Sequence, residues 1–195
     1  MNILYPLPNA IVFEGRRYPL DLSYDTVLKV FAVYANTELS STEQAEYAVA
    51  LLVRRKAPTA ILTPVFKEHI SITGKKSLRQ SAKSFDFQAD SSYLYSSFLM
   101  DYGVDLFTSQ RRLHWQKFLA MFQGLSARTK MREVMSIRQR PIPEPTKHNA
   151  KEIEELMRLK SYYALTVSQE EREQQMQNAL ADLAGALRYR AEKGG

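Results

Sequence analysis

Two pairs of aspartates have the spacing that acid–base or metal chemistry would need. Asp86 and Asp90 are four residues apart, as are Asp101 and Asp105, so a continuous helix would place each pair on one face. Paired carboxylates can bind a cation or exchange protons with a substrate. Each pair, however, straddles a predicted helix end, where aspartate accepts hydrogen bonds from unpaired backbone N–H groups. Capping is therefore the expected role.

The other candidate groups do not assemble a reaction centre. His69, His114 and His148 are far apart, and none has a metal-binding spacing; His114 is expected at a helix edge with its ring hydrogen-bonded. The stretch 73–77 lacks the first glycine of a phosphate loop, and 74–84 is predicted to be a mobile loop. The chain has no cysteine, which excludes disulfides and thiolate sites. We expect no enzyme activity and no cofactor.

The centre of the chain is rich in aromatic side chains and predicts two helices separated by a tight turn. Ten of the 21 aromatic residues lie between Phe85 and Phe122. Asp86 is expected to cap the first helix, Gly103 to end it, and the second helix to follow Leu106. The two apolar stripes are Leu94, Tyr95, Phe98, Leu99 and Tyr102, and Trp115, Phe118, Leu119 and Phe122. Rings can stack on nucleic-acid bases, but helical spacing favours a buried core.

The flanking segments complete a mainly α fold, a helical bundle with a short N-terminal β-hairpin. Two β-prone runs over 10–14 and 17–22 are joined by a glycine turn, with Pro19 limiting the second run to a sheet edge. Predicted helices begin at Ser23, at the Ser40–Glu43 capping box and at Pro58. Pro64 is expected to kink or delay the helix that begins at Pro58.

The C-terminal part is predicted to be a separate helical arm. The predicted domains are the hairpin with the helical core over 1–140, a proline-rich linker over 141–148 and the arm over 149–195. The arm carries an apolar seam, which is a candidate for self-association or partner contact and could equally fold back on the core. Its residues are Met176, Leu180, Leu183 and Leu187.

Charge is distributed in blocks along the chain, although the net charge is only +6. Residues 54–83 and 106–140 each carry eight basic and one acidic side chain, whereas 84–105 carry four aspartates and no base. Arg138 and Arg140 are the strongest candidates for binding a phosphate or an acidic partner, but basic residues also suit a helix C-terminus. Compensation between blocks is favoured over nucleic-acid binding. No signal peptide or membrane span is apparent, which indicates a cytoplasmic protein.

Three short motifs together resemble one bacteriophage family. They are Phe-Asp-Phe-Gln-Ala-Asp at 85–90, Tyr-Gly-Val-Asp-Leu at 102–106 and Leu-His-Trp-Gln-Lys-Phe at 113–118. The combination resembles the family named after gene product fifteen, from long-tailed phages and prophages of Gram-positive bacteria. The resemblance is strongest over 85–140 and implies no catalytic residues.

The resemblance implies a tail assembly chaperone. Such a protein binds the tape measure protein, recruits tail tube protein, acts in the host cytoplasm and is absent from the mature virion. A basic nucleic-acid-binding protein acting through residues 128–140 and a structural tail component are the alternatives. An amphipathic partner helix would need an apolar groove and complementary charge, and no active site.

Overall fold

The computed structural model describes residues 3–71 and 84–165. The described residues divide into two compact units, with the boundary between residues 141 and 142. As predicted, the fold is mainly α with an N-terminal hairpin. The helices are α1 Tyr24–Ala35, α2 Ser41–Leu52, α3 Leu62–Val65, α4 Ser91–Tyr102, α5 Trp115–Gln123, α6 Lys130–Gln139 and α7 Ala150–Tyr162.

The predicted hairpin pairs β1, Ala10–Phe13, with β2, Arg16–Pro19, in an antiparallel register. The two-residue turn between them has positive φ at Glu14, 48°, and at Gly15, 72°. Two positive φ values match the twist of a hairpin, and glycine adopts them without a Cβ clash. The strand pair buries Ile11 and Tyr18 in the core.

Local signals set most helix ends. The Ser40–Glu43 capping box begins α2, and Gly103, with φ 63°, ends α4 as predicted. Ser23 lies at the N-cap of α1, but its hydroxyl donates to Asp21 Oδ1 at 2.6 Å and makes no cap. Helix α3 is a single turn containing Pro64, with a 3₁₀ turn before it and a π turn after it. Proline has no N–H to continue the ladder, so this segment is irregular, as expected.

Helix α4 differs from the prediction at its start and along its stripe. It begins at Ser91 because Asp86 instead caps the preceding turn, accepting from the N–H groups of Gln88 and Ala89 at 2.9 Å. Only one side of α4 contributes fully buried apolar side chains, and two residues predicted to be buried, Leu99 and Tyr102, are 46% and 37% exposed. The buried pair is Leu94 and Phe98. The stripe is therefore divided between core and surface.

The second aromatic helix also begins later than predicted. Turns occupy the chain after Leu106, and α5 begins only at Trp115. Backbone hydrogen bonds hold the junction to the start of α1: Tyr24 N–H donates to Leu113 O at 2.9 Å, and Trp115 N–H donates to Leu22 O at 2.7 Å. Helix α5 ends at Gly124, as predicted.

The aromatic residues form the core of the first unit. Trp115, Phe118 and Phe98 are fully buried. The Phe118 ring stacks on Phe98 at 5.1 Å, on Trp115 at 5.5 Å and on Tyr24 at 4.9 Å between centroids. Offset ring pairs of this kind add stability beyond the area they bury. The central rings are thus scaffold and are not available to stack on bases.

A buried ion pair joins the start of α4 to the end of α6. Arg138 Nη1 and Nη2 donate to the two carboxylate oxygens of Asp90 at 2.6 and 2.7 Å, and Nη1 also donates to Ser84 O at 3.1 Å. The side chains are 9% and 2% exposed. Arg138 is therefore a structural residue rather than a phosphate ligand, because its guanidinium is already bound. Arg140, by contrast, is exposed.

The second unit is described through α7. Asn149 organises its start, accepting from Thr146 N–H at 2.7 Å and donating to Glu144 O at 2.9 Å. On α7, Leu156 is buried and Met157 is 54% exposed. The arm seam and residues 74–83 of the predicted loop lie outside the described residues. No helix within 3–71 and 84–165 is long and apolar enough to cross a membrane.

Candidate partner-binding groove

An open groove of about 580 Å³ runs along α1 in the first unit. Its second wall is the segment 85–88, which leads into α4. Most of its lining is apolar: Tyr24, Leu28, Phe31, Ala32, Ala35, Phe85 and Phe87. Apolar grooves of this kind accept one face of an amphipathic helix.

The floor of the groove is the outer layer of the aromatic core. Phe87 packs against Trp115, Phe118 and Phe122, with centroid distances of 6.0, 5.7 and 5.3 Å. Phe31 meets Trp115 edge-on at 5.6 Å. Because these rings are held by the buried cluster, the groove is preformed and its walls lose little conformational entropy when a ligand binds.

Two exposed alanines give a partner close access to α1. Ala32 and Ala35 are three residues apart, lie on the groove side and are exposed. Residues three apart share one face of a helix. Their small side chains leave room for the side chains of an approaching helix over this turn of α1.

Polar groups at the edge of the groove hold the loop between α4 and α5 in place. Asp25 accepts from Arg111 N–H at 2.8 Å and from Lys29 Nζ at 3.2 Å. Burial would raise the pKa of Asp25, but these hydrogen bonds outweigh burial and lower it. Tyr24 donates to Leu106 O at 2.5 Å, and burial, with nearby carboxylates, raises the Tyr24 pKa to about 12. Both side chains are structural at neutral pH.

The aspartates that could have formed a catalytic pair bind backbone groups instead. Asp105 accepts from the N–H groups of Phe107 and Thr108, and Asp101 accepts from Ser126 N–H at 2.6 Å and from its hydroxyl at 2.9 Å. Asp86 and Asp105 cap turns and not the predicted helix ends, and Asp101 fixes a distant loop. Asp90 lies at the N-cap of α4 without capping it and accepts from Asp86 N–H at 2.9 Å. Among the described residues, no three acidic or histidine side chains are grouped to hold a metal ion.

His114 caps α5 with its ring. Its Nδ1 accepts from Gln116 N–H at 3.1 Å, so Nε2 carries the proton and donates to Pro8 O at 3.0 Å. The predicted hydrogen-bonded helix edge is confirmed. Burial lowers the pKa of His114, and its neighbours His69 and Lys117 lower it further against the effect of the Pro8 bond. Burial also lowers the pKa of His69, whose ring nitrogens have no hydrogen-bond partner among the described residues.

These histidines predict an acid-sensitive fold. Their native pKa values lie below the unfolded value of about 6.5, so the unfolded chain binds protons first and stability falls as pH drops below that value. Urea unfolding from about pH 7.5 to about pH 5.5 should show the loss. His114→Asn keeps a capping acceptor and should show a shallower loss. If the stability of the wild type and of His114→Asn falls in parallel with pH, His114 is not a source of the acid sensitivity.

The groove itself could not be read from the sequence. Its walls come from two segments far apart in the chain, and the predicted cap at Asp86 placed Phe87 in a helix that in fact begins at Ser91. The sequence does show two alanines three residues apart on a predicted helix, Ala32 and Ala35. Of the predicted partner-binding residues, Arg138 is buried in an ion pair, Arg140 is exposed and the arm seam is outside the described residues.

The chain matches the model of a known protein family. A family described as bacteriophage Gp15 protein is similar to this chain over residues 4–165, which include both walls of the groove. Neither the curated proteins nor the solved structures contain a significant match.

Proposed function

Because the chain belongs to the bacteriophage Gp15 protein family, we propose that it is a non-enzymatic tail assembly chaperone. It binds an amphipathic helix of the tape measure protein and recruits tail tube subunits around it. It acts in the host cytoplasm during assembly of long-tailed phages of Gram-positive bacteria, and it leaves before the virion matures. The groove along α1 is the proposed binding site.

The observation that supports this proposal is the apolar, preformed groove. A tape measure protein is a long helical rod, so its exposed apolar face needs cover before the tail tube encloses it. Burying one large apolar side chain contributes about 1.5–3 kcal/mol. A helix placing two or three such side chains among Leu28, Phe31 and Phe87 would gain enough for specific, reversible binding.

A charge placed in the groove tests the site. Ala32→Glu with Ala35→Glu should reduce co-purification with the tape measure protein at least about tenfold, since two carboxylates would be buried against the apolar face of the partner helix. Both positions are exposed, so the fold should survive. Ala120→Glu, at an exposed position of α5, is the matched control and should bind normally. If the wild type, the double variant and Ala120→Glu bind equally well, the groove is not the binding site.

The apolar seam of the arm is the rival contact. If the seam binds the partner, Leu183→Asp should abolish co-purification while helical content, measured by circular dichroism, is unchanged. Normal binding by this variant, together with loss in the groove variant, would assign the contact to α1. Loss in both would require two contacts.

Particle composition separates a chaperone from a structural tail component. Mass spectrometry of purified phage should find the tube and tape measure proteins but not this chain. Stoichiometric recovery of the chain from mature particles would replace the chaperone by a virion component.

A further inference from the structure

A second surface of the first unit concentrates positive charge from two distant parts of the sequence. The end of β2 and the loop after α2 are joined by backbone hydrogen bonds from Arg54 N–H to Pro19 O, 3.1 Å, and from Asp21 N–H to Leu52 O, 2.8 Å. This junction brings Arg17 near Arg54, and the two line one hollow. Arg17, Arg54, Arg55 and Lys56 are all exposed, and we call this set the basic surface.

Two adjacent hollows on the basic surface share Arg54. One, of about 300 Å³, lies between Arg17, Pro19 and Arg54. The other, of about 520 Å³, has an apolar side formed by α2 and the loop, and its cations are Arg54, Arg55 and Lys56. The apolar members are Val49, Ala50, Val53 and Ala57. Val49 and Val53 are 8% and 5% exposed and belong to the core, so the apolar part that a partner can reach is Ala50 with Ala57.

Neighbouring acids leave an excess of positive charge. Among the described residues lining the two hollows, the only acid is Glu46. Asp21, next to them, pairs with Arg54 at 3.3 Å, in a bridge whose arginine side chain is 65% exposed. Exposed pairs of this kind contribute little stability, so Arg54 can exchange this carboxylate for another at small cost. The surface is complementary to negative charge.

The lining distinguishes between two kinds of acidic partner. Single-stranded nucleic acid is held by cations together with aromatic rings that stack on bases. None of the described lining residues of either hollow is aromatic. Apolar side chains between cations instead match a peptide that carries both carboxylates and aliphatic groups.

We infer that the basic surface binds an acidic amphipathic segment of a partner protein. The aliphatic side chains of that segment lie over Ala50 and Ala57, and its carboxylates pair with Arg55, Lys56 and Arg17. This site is distinct from the α1 groove and does not depend on the proposed chaperone role.

Fluorescence anisotropy with a defined probe tests the inference. The probe is a fluorescein-labelled peptide repeating Leu-Glu-Glu-Leu-Ala-Glu-Glu, and its control has glutamine at every glutamate position. The full chain should bind the glutamate peptide, more weakly as salt rises. Arg55→Glu with Lys56→Glu should weaken binding at least about tenfold. Lys151→Glu with Arg158→Glu changes two exposed basic side chains of α7 and should not.

Other results of the same experiment would overturn or change the inference. Absence of binding at low salt, or equal loss in both charge-reversal variants, would overturn the inference. Tighter binding of a random DNA duplex, with the same dependence on Arg55 and Lys56, would make the surface a nucleic-acid site instead. The groove variant Ala32→Glu with Ala35→Glu should keep peptide affinity, so failure of the chaperone proposal and failure of this one are separable.

Discussion

Replacing Arg138 by methionine is expected to destabilise the protein by about 3–5 kcal/mol. The guanidinium forms two short hydrogen bonds with Asp90, and both side chains are almost completely buried. Without the arginine, the carboxylate would remain in the interior with only the Asp86 N–H, at 2.9 Å, as a described donor. Because domains are typically stable by only about 5–15 kcal/mol, the urea midpoint should move markedly.

Two further proteins make the Arg138 prediction specific. Arg140→Met removes an exposed arginine next to the same helix end and should change stability by no more than about 0.5 kcal/mol. Asp90→Asn combined with Arg138→Met removes both charges, so its loss should be smaller than the sum of the single losses. Additive losses would show that the ion pair is not the source of the effect. The stability loss of Arg138→Lys should lie between those of Arg140→Met and Arg138→Met, because lysine keeps the charge but cannot form the two-point contact.

Replacing Trp115 by alanine should cost about 3–5 kcal/mol. The indole is fully buried and contacts the rings of Phe31, Phe87 and Phe118. Its removal leaves a cavity in the cluster that supports α1 and α5. Urea unfolding followed by circular dichroism measures the loss, and Tyr47→Ala, at a 54% exposed position of α2, should stay within about 0.5 kcal/mol.

Trp115→Phe separates packing from hydrogen bonding. Trp115 Nε1–H donates to Ile70 O at 3.0 Å. Phenylalanine keeps a ring but leaves this carbonyl unpaired, which costs about 1–3 kcal/mol. If Trp115→Phe loses as much stability as Trp115→Ala, ring packing contributes little, contrary to the stacked geometry.

Elements set by neighbouring residues were predictable from the sequence. The Ser40–Glu43 box and Gly103 act within one helical turn, so their patterns carry the necessary information. The turn at Gly15 depends likewise on local backbone conformation. Similar reasoning explains the prediction of an aromatic core, since helical spacing reveals which ring positions share a face.

Features that depend on distant partners were not predictable in this way. Asp90 and Arg138 are 48 residues apart, and a basic residue at a helix end already has a local explanation. The late start of α4 follows from two hydrogen bonds to Asp86 that close a separate turn. Tyr95 and Leu99 have the spacing of a buried stripe, yet the former packs on Phe107, which is 71% exposed. Periodicity identifies a helical face but not the number of neighbours it meets.

The contact between groove and core gives the molecule an intrinsic optical reporter. Trp115 is the only tryptophan in the chain. Phe31 and Phe87 line the groove and also touch its indole. A helix settling against those rings alters the surroundings of the fluorophore without reaching it. Emission of the unlabelled protein, excited selectively at the indole band, therefore follows occupancy during titration with a tryptophan-free peptide.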